Sequence, residues 1–561
     1  MRGFVRVSAA VPKVTVTDLE SNCKHILSLW KRADKEGSML VCFPELCITS
    51  YSAKDLFHNT FLLKEAEKWL GWLANESKGL KSVAIVGLPV MHQNGVYDCA
   101  AALQDGKVLC IVPKSYLPNY GEFEEGRWFS PARLVKEGSS MNILGRAIPF
   151  GTDLLLSAEN IPNCKIGIEI CEDLWVQASP HIYQVNSGAT VIANPSASNF
   201  TIGKAEIRES LAVSASDKGK CCYIYAAAAP GESSDLAWDG HHFICENGSV
   251  IARGTRFSRE PQLLTADVDI ESIMHDRVTR GVFLECANAN HKEFRVINFT
   301  AASPDADRRI SRKIDRYPFI PSDPATLAKR CWEVFEIQTN SLRTRLERIG
   351  SKFIILGVSG GVDSTMAALS AVKTLDAMGV DRKNLICVTM PGLGTTSDTR
   401  ARAVELSRLI GATLIETSIK EISYALMSMI GHKAASGTKS VKELMRRIKN
   451  NPKFADVTME NIQARIRTLI LMSYANKYKG IVLEGTGLGH VGENLYPALE
   501  RAVKDGIVVA MCSQCVWGRV HMDVYSAGRD LQRIGVVPLG DMLAETALVK
   551  MMWAFGQEKN P

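Results

Sequence analysis

Short apolar runs recur through residues 1–290, and their spacing limits the possible folds more than any other feature of the chain. FVRVSAAV, MLVCFPEL, SVAIVGLP, KVLCIVP, KIGIEICEDLW, ATVIANPSAS and CCYIYAAAA are rich in β-branched residues and bounded by turn residues. They read as buried strands. Longer amphipathic stretches, such as 18–36 and 204–219, separate some of them and read as helices. Strands buried on both faces and interleaved with helices make a layered α/β domain.

The chain has 561 residues, more than one hydrophobic core supports, so two to four domains are expected. Residues 1–290 form the first. Residues 291–325 are polar, charged and Pro-containing and read as a linker. Residues 326–480 open with an amphipathic helix at 326–350. Then comes 353-FIILGVSGGVDSTMAALSAVKTLDAMG-379, a strand, a glycine turn and a helix, followed by two more strands, LICVTM and TLIETSI. That pattern is a doubly wound parallel sheet. In the stretch 460–478, Ile462, Ile466, Leu469 and Ile470 form an apolar helical face, with Gln463, Arg465 and Arg467 opposite. Residues 481–561 are a separate tail, with a strand in GIVVAMC and a helix at 542–555.

A net charge of +6 is too dilute to point to nucleic acid. The one short basic stretch, KELMRRIKNNPK, reads as a solvated helix face. No apolar run approaches the ~18 residues of a membrane helix, and the N-terminal stretch alternates like a strand instead of forming a signal-peptide core. The 15 cysteines follow no framework spacing, so reduced thiols and a cytoplasmic location are expected. Cys512 and Cys515 form a lone CxxC without a second pair or a histidine, and buried small residues are the simpler reading.

Three stretches share one design. FPEL, VPKSYLPNY and EICEDLW each place a reactive residue, Glu45, Lys114 or Cys171, just past an apolar strand. Strand ends are where α/β domains build chemistry. Together these residue types suit amide hydrolysis. Cys171 attacks the amide carbon, Glu45 moves the proton, and Lys114 with a backbone N–H stabilises the oxyanion. With PELCITSY, PKSYLPNYGEFEEGRWF, ICEDLW and NPSASNFTIGKAEIR, the region resembles the nitrilase superfamily. More narrowly, it resembles the glutaminase domain of glutamine-dependent NAD+ synthetases. The resemblance implies a four-layer αββα sandwich, makes Glu122 the orienting fourth carboxylate, and assigns Tyr51, Tyr120, Ser198 and Lys204 to the glutamine pocket.

The second constellation is GVSGGVDS: Gly357, Val358, Ser359, Gly360, Gly361, Val362, Asp363 and Ser364. Glycines let a backbone close on phosphates, and the N-terminus of the following helix supplies free N–H groups. Asp363 fits beside phosphates when Mg2+ lies between them. The pattern lacks a Walker GK[ST] and resembles the SGGxDS loop of ATP pyrophosphatases. MPGLGTTSDT and DVTMENIQARIRTLILMSYANK extend the likeness to the NAD+ synthetases. There Asn461 would contact deamido-NAD+ and Thr486 would contact ATP. The implied reaction adenylates deamido-NAD+ with ATP, then amidates it with ammonia from the first site through an internal channel. ATP, Mg2+, glutamine and deamido-NAD+ are therefore the expected ligands, and a homo-oligomer the expected assembly.

That likeness breaks after IVL. In place of a GTGDLSE-type stretch the chain reads LEGTGLGHVGEN, with Glu484 inserted. GIVLEGTGLGHV, CSQCVWGRVHMDVYSAGRDLQRIGVV and DMLAETALVKMMWAFG resemble the C-terminal domain of the asparaginase-type component of archaeal glutamyl-tRNA amidotransferases. Three readings stay open: a complete NAD+ synthetase, a glutaminase that binds ATP beside a disabled synthetase site, and a component of a tRNA-dependent amidotransferase.

Overall fold

In a computed structural model, two compact units span Met1–Asp315 and Arg316–Pro561. The described residues are 3–143, 145–232, 236–302, 310–312, 320–321, 323–395 and 397–483, with 500–501, 504, 510–511 and 531–538 beyond them.

The first unit is built on two sheets. One has six strands in the order Gln262–Asp269, Phe4–Val11, Leu40–Cys42, Val83–His92, Gly95–Gln104 and Lys107–Pro113. The other has seven, in the order Ser249–Arg253, His242–Glu246, Cys222–Ala227, Val191–Ser196, Lys165–Ile168, Leu154–Ala158 and Arg295–Phe299. Side-chain alternation sorts the core. Val5, Val7, Leu40, Cys42, Ile85 and Ala102 of the first sheet pack against Ile166, Ile168, Val191, Ala193, Ile224 and Ile244 of the second. The opposite-facing residues of the first sheet, Val41, Ala84, Val86 and Leu103, meet the helices Leu19–Lys35 and Thr60–Glu76 through Ile26, Trp30, Leu70 and Leu73. On the far side, Ile192, Tyr223 and Phe243 meet Val185 and Ala212 of the helices Pro180–Asn186 and Lys204–Gly219. The result is the expected four-layer αββα sandwich.

The segment read as a linker departs from expectation. Arg295–Phe299 is a strand, paired in parallel register with Leu154–Ala158. Phe299 is buried in the inter-sheet core, while Val296 stays exposed. An edge strand with only one apolar face carries too weak a pattern to be separated from its charged surroundings.

In the second unit, four parallel strands lie in the order Thr413–Glu416, Leu385–Thr389, Ile354–Gly357 and Ile481–Leu483. The helices Pro324–Ile349 and Val362–Ala377 cover one face through Leu342, Leu346, Ala368 and Leu375. The helix Val457–Tyr478 covers the other through Ile462, Ile466 and Leu471. Asp456 caps this helix, its carboxylate accepting from the Met459 N–H at 3.0 Å. The buried stripe is rotated from the sequence expectation. Leu469 is exposed, while Gln463 is buried because its Oε1 accepts the Leu393 N–H at 2.8 Å. The chain order reverses at Ile354–Gly357, the switch point where doubly wound sheets bind ligands. Of the tail, Ala510–Met511 pairs in parallel with Val537–Pro538, in line with a strand in GIVVAMC. Thr486, Cys512, Cys515 and the helix expected at 542–555 lie outside the described residues.

Candidate active sites

Three strand ends converge in the first unit. Glu45 follows Leu40–Cys42, Lys114 follows Lys107–Pro113, and Cys171 opens a 3-10 turn, Cys171–Leu174, after Lys165–Ile168. The turn bearing Glu45 lies directly on the neighbouring strand. A Cβ on Gly87 would stand 2.2 Å from the Leu46 nitrogen and 2.7 Å from the Glu45 carbonyl carbon, so only glycine lets the two backbones approach. Lys114 Nζ donates to Glu45 Oε1 at 2.5 Å and to Glu125 Oε1 at 2.8 Å, and lies 3.6 Å from Asp98 Oδ2. All four side chains are essentially inaccessible to solvent. The three carboxyls are close enough together to hold a cation, and the Lys114 ammonium is the cation among them. Burial works against that ammonium, but Glu125 and Glu45 outweigh it and raise the Lys114 pKa.

Glu125, not Glu122, is the fourth member of this cluster. Glu125 opens the short helix Glu125–Trp128 and also accepts the Tyr51 hydroxyl at 2.8 Å. Glu122 instead accepts Asn199 Nδ2 at 2.6 Å, and its carboxyl is held low, mainly by that bond. The run EFEE offers three glutamates within four positions. Only the one that shares a face with buried Trp128 turns inward.

Cys171 sits at φ +47°, a strained backbone for a residue with a Cβ. Three contacts hold it. The Cys171 N–H donates to Asn194 Oδ1 at 3.2 Å. The Ile170 N–H donates to Asp173 Oδ2 and the Tyr116 N–H to Asp173 Oδ1, each at 2.9 Å. Asp173 thus joins the cysteine turn to the lysine loop. Asn194 Nδ2 in turn donates to the Tyr223 hydroxyl at 2.8 Å, and Tyr223 donates to Glu169. Burial pushes the Cys171 thiol well up; Glu45 adds to the rise and Lys114 opposes it. Cys171 therefore rests as a neutral thiol, with Glu45 and Lys114 the neighbours that act on it most.

The expected pocket residues divide. Tyr51 is buried as a support for Glu125. Tyr120 is largely exposed and donates to Glu172 Oε1 at 2.7 Å. Ser198 is buried, with its hydroxyl unpartnered among the described residues. Lys204 donates to Asn199 Oδ1 at 2.5 Å and stands over Phe123 and Trp175 at 5.1 and 5.6 Å. Asp98, Asp173, Asn194 and Glu125 were not singled out by sequence. Their positions come from strand pairing and burial, which no short motif carries.

In the second unit the loop after Ile354–Gly357 leads into the helix Val362–Ala377. Gly360 has φ +78°, and the Gly361 N–H donates to Ser359 Oγ at 3.3 Å. Ser364 Oγ lies 3.2 Å from Ser359 Oγ, while Asp363 is exposed in the first turn. Ser359, Asp363 and Ser364 border a cleft of about 560 Å³ that is also lined by Gly357, Val358, Thr389, Arg467 and Leu483. Arg467 has no ion pair among the described residues, and burial lowers its pKa. Ala464 and Thr468 line the same cleft. Asn461, exposed, lies one turn before Ala464 on that face.

Family models match in the same order. Residues 6–277 match carbon-nitrogen hydrolase, 334–493 match NAD synthase, and 459–561 match the glutaminase/asparaginase C-terminal domain. The last two overlap across the helix Val457–Tyr478 and the strand Ile481–Leu483, and the synthase match continues past residue 487. The glutamine-dependent NAD(+) synthetase of Mycobacterium tuberculosis is 38% identical over 490 residues, covering 86% of this chain and 70% of that protein. Its namesake from Thermotoga maritima is 28% identical over 485 residues, covering 85% and 73%. A crystal structure of the Cytophaga hutchinsonii enzyme of that name aligns over 90% of this chain and 82% of its own, with 22% identity and a TM-score of 0.42. With the lysine cluster in the carbon-nitrogen hydrolase unit and the glycine loop in the NAD synthase unit, the chain belongs to the glutamine-dependent NAD(+) synthetases, ligases that hydrolyse glutamine to make NAD.

Proposed function

We propose that Cys171, Glu45 and Lys114 hydrolyse glutamine and that the SGGVDS cleft uses the released ammonia to amidate deamido-NAD+. The observation that carries the first half is the ammonium of Lys114 held between two buried carboxylates. Glu45 takes the Cys171 proton as sulfur attacks the amide carbon. Lys114 donates to the developing oxyanion, and Glu45 returns the proton to departing ammonia. Glu125 and Tyr51 keep Lys114 aimed. Lys204 pairs with the glutamine carboxylate, and Glu172 with its ammonium. Alkylation with a glutamine-like chloroketone tests the assignment. A single adduct on Cys171, prevented by glutamine, is expected; an adduct on another cysteine contradicts it.

In the second unit the Ser359–Ser364 loop and the helix N-terminus receive the ATP phosphates. Arg467 offers a further cation to the pyrophosphate, and Asn461 contacts deamido-NAD+. One exposed carboxylate beside two hydroxyls fits Mg2+, which keeps most of its waters and shares phosphate oxygens. Asp363 would hold it, and the ion would supply charge neutralisation at the phosphates. The 13 cysteines among the described residues are all free, which supports a reducing, cytoplasmic setting. The assembly is a homo-oligomer.

The asparaginase-type match over 459–561 favours a second reading, in which the first site works and the synthetase site is incomplete. Formation of AMP from ATP that depends on deamido-NAD+ separates the two. Its presence supports the full reaction, and its absence supports the glutaminase alone.

A further inference from the structure

Three carboxyl groups surround Lys114, and the charges of the cluster do not balance. One ammonium faces Glu45, Glu125 and Asp98, all inaccessible to solvent. Three buried carboxylates beside one cation leave two uncompensated charges, a cost that protein interiors avoid by binding a proton. Hydrogen bonds show which carboxyl carries it. Glu125 accepts from both Lys114 Nζ and the Tyr51 hydroxyl, and Glu45 Oε1 accepts from Lys114 Nζ. Asp98 accepts from neither side. Its Oδ2 is 3.6 Å from Lys114 Nζ, and both its oxygens find no hydrogen-bond partner among the described residues, against one oxygen each, Oε2, of Glu45 and Glu125. Two acceptor-only carboxylates cannot bond to each other, whereas a carboxylic acid and a carboxylate can.

We propose that Asp98 is a neutral carboxylic acid in the working enzyme and donates its proton as a hydrogen bond to Glu45, holding that base ionised and aimed at Cys171. Asp98 is a positioning residue, acting on the thiol only through Glu45. Its place is fixed by the sheet, because the Lys114 N–H donates to the Asp98 carbonyl at 2.8 Å. The groups facing it are Glu45 from the turn after Leu40–Cys42, Lys114 from the end of its own sheet partner, and Glu125 from the short helix beyond. On its own strand, the neighbouring Cys99 thiol is pushed well up, mainly by burial. The directions agree with the geometry. Burial first, and Glu45 second, push the Asp98 carboxyl well above the usual range, with Lys114 opposing them. The assignment rests on the glutaminase reading of the Cys171 site.

Two variants and one spectrum test it, using the full chain. Asp98→Asn retains a neutral donor. It is expected to keep glutaminase kcat/KM within about threefold, with the acid limb of the pH profile in place. Asp98→Leu removes the donor. It is expected to lose about thirtyfold or more and to move the acid limb upward, since Glu45 then ionises less readily. An acid limb that falls by about one pH unit in Asp98→Asn would show an ionised Asp98 and overturn the proposal. So would an unshifted limb in Asp98→Leu. The infrared difference between wild type and Asp98→Asn at neutral pH needs no catalysis. A carboxylic-acid C=O band lost in the variant is expected, and its absence from the wild type overturns the proposal. Cys171→Ala assayed alongside separates this from failure of the glutaminase reading, which would appear as glutamate release that survives the change.

Discussion

On the proposed assignment, the two sites solve opposite electrostatic problems. The glutaminase cluster must polarise a neutral amide, so it brings its own charges, and Glu45, Lys114, Glu125 and Asp98 lie wholly out of solvent. The nucleotide cleft must receive a polyanion. It leaves Asp363 exposed, the glycine loop open and one helix N-terminus pointing at the space to be filled. The first site is preorganised by strands, turns and carboxylates that constrain one another. The second presents Ser359, Asp363 and Ser364 to an open cleft. Damage to the first should therefore be severe and local, and damage to the second should appear only when nucleotide is required.

The largest effect belongs to Cys171→Ala. Glutamine-supported synthesis and glutamate release should fall by about a thousandfold or more, with ammonium-supported NAD+ synthesis unchanged. Parallel assays with the two nitrogen sources check this, and joint loss would mean that the sites are not separable. Asp363→Ala is the mirror experiment. Deamido-NAD+-dependent AMP formation should fall by about a hundredfold while basal glutaminase is kept. AMP formation at the wild-type rate would remove the metal role.

A finer contrast lies within the first site. Glu125→Gln should lower glutaminase kcat by about a hundredfold, because the carboxyl that accepts from both Lys114 and Tyr51 is lost. Glu122→Gln should cost less than about threefold, since that carboxylate accepts from Asn199 and not from Lys114. Steady-state kinetics of the pair would reverse this order if Glu122 were the orienting acid.

The smallest effect is on stability. Burial lifts the Glu232 carboxyl to about 7, against donors that include the Ser52 N–H at 3.1 Å. Its folded pKa lies above the unfolded value near ~4.3. The native state thus binds the proton more tightly, and this contribution to stability is complete below the unfolded pKa and lost as pH rises through about 7. Glu232→Gln should flatten the decline in melting temperature across that window, measured by thermal unfolding at stepped pH.

The same contrast explains what the sequence revealed. SGGVDS is contiguous, so its strand, turn and helix are legible together, and the structure places them as expected. Glu45, Lys114 and Cys171 are dispersed, yet each follows a strongly apolar strand that marks its position. Glu125 was missed because EFEE carries no periodic signal that separates an inward glutamate from an outward one. Asp98 was missed because VYDCAAAL reads only as a buried strand; its partnership with Lys114 arises from antiparallel pairing with Lys107–Pro113. Arg295–Phe299 reads as linker in the sequence because one buried phenylalanine does not distinguish an edge strand from a charged loop.

That one chain both splits glutamine and makes NAD+ is tested most directly by a single incubation. The protein is given deamido-NAD+ and ATP-Mg2+ with either glutamine or ammonium, and NAD+ and glutamate are measured together. NAD+ with both nitrogen sources, and glutamate with glutamine, are predicted. Glutamate without NAD+ from either source would contradict this, and would end the functional enzyme near the strand Ile481–Leu483.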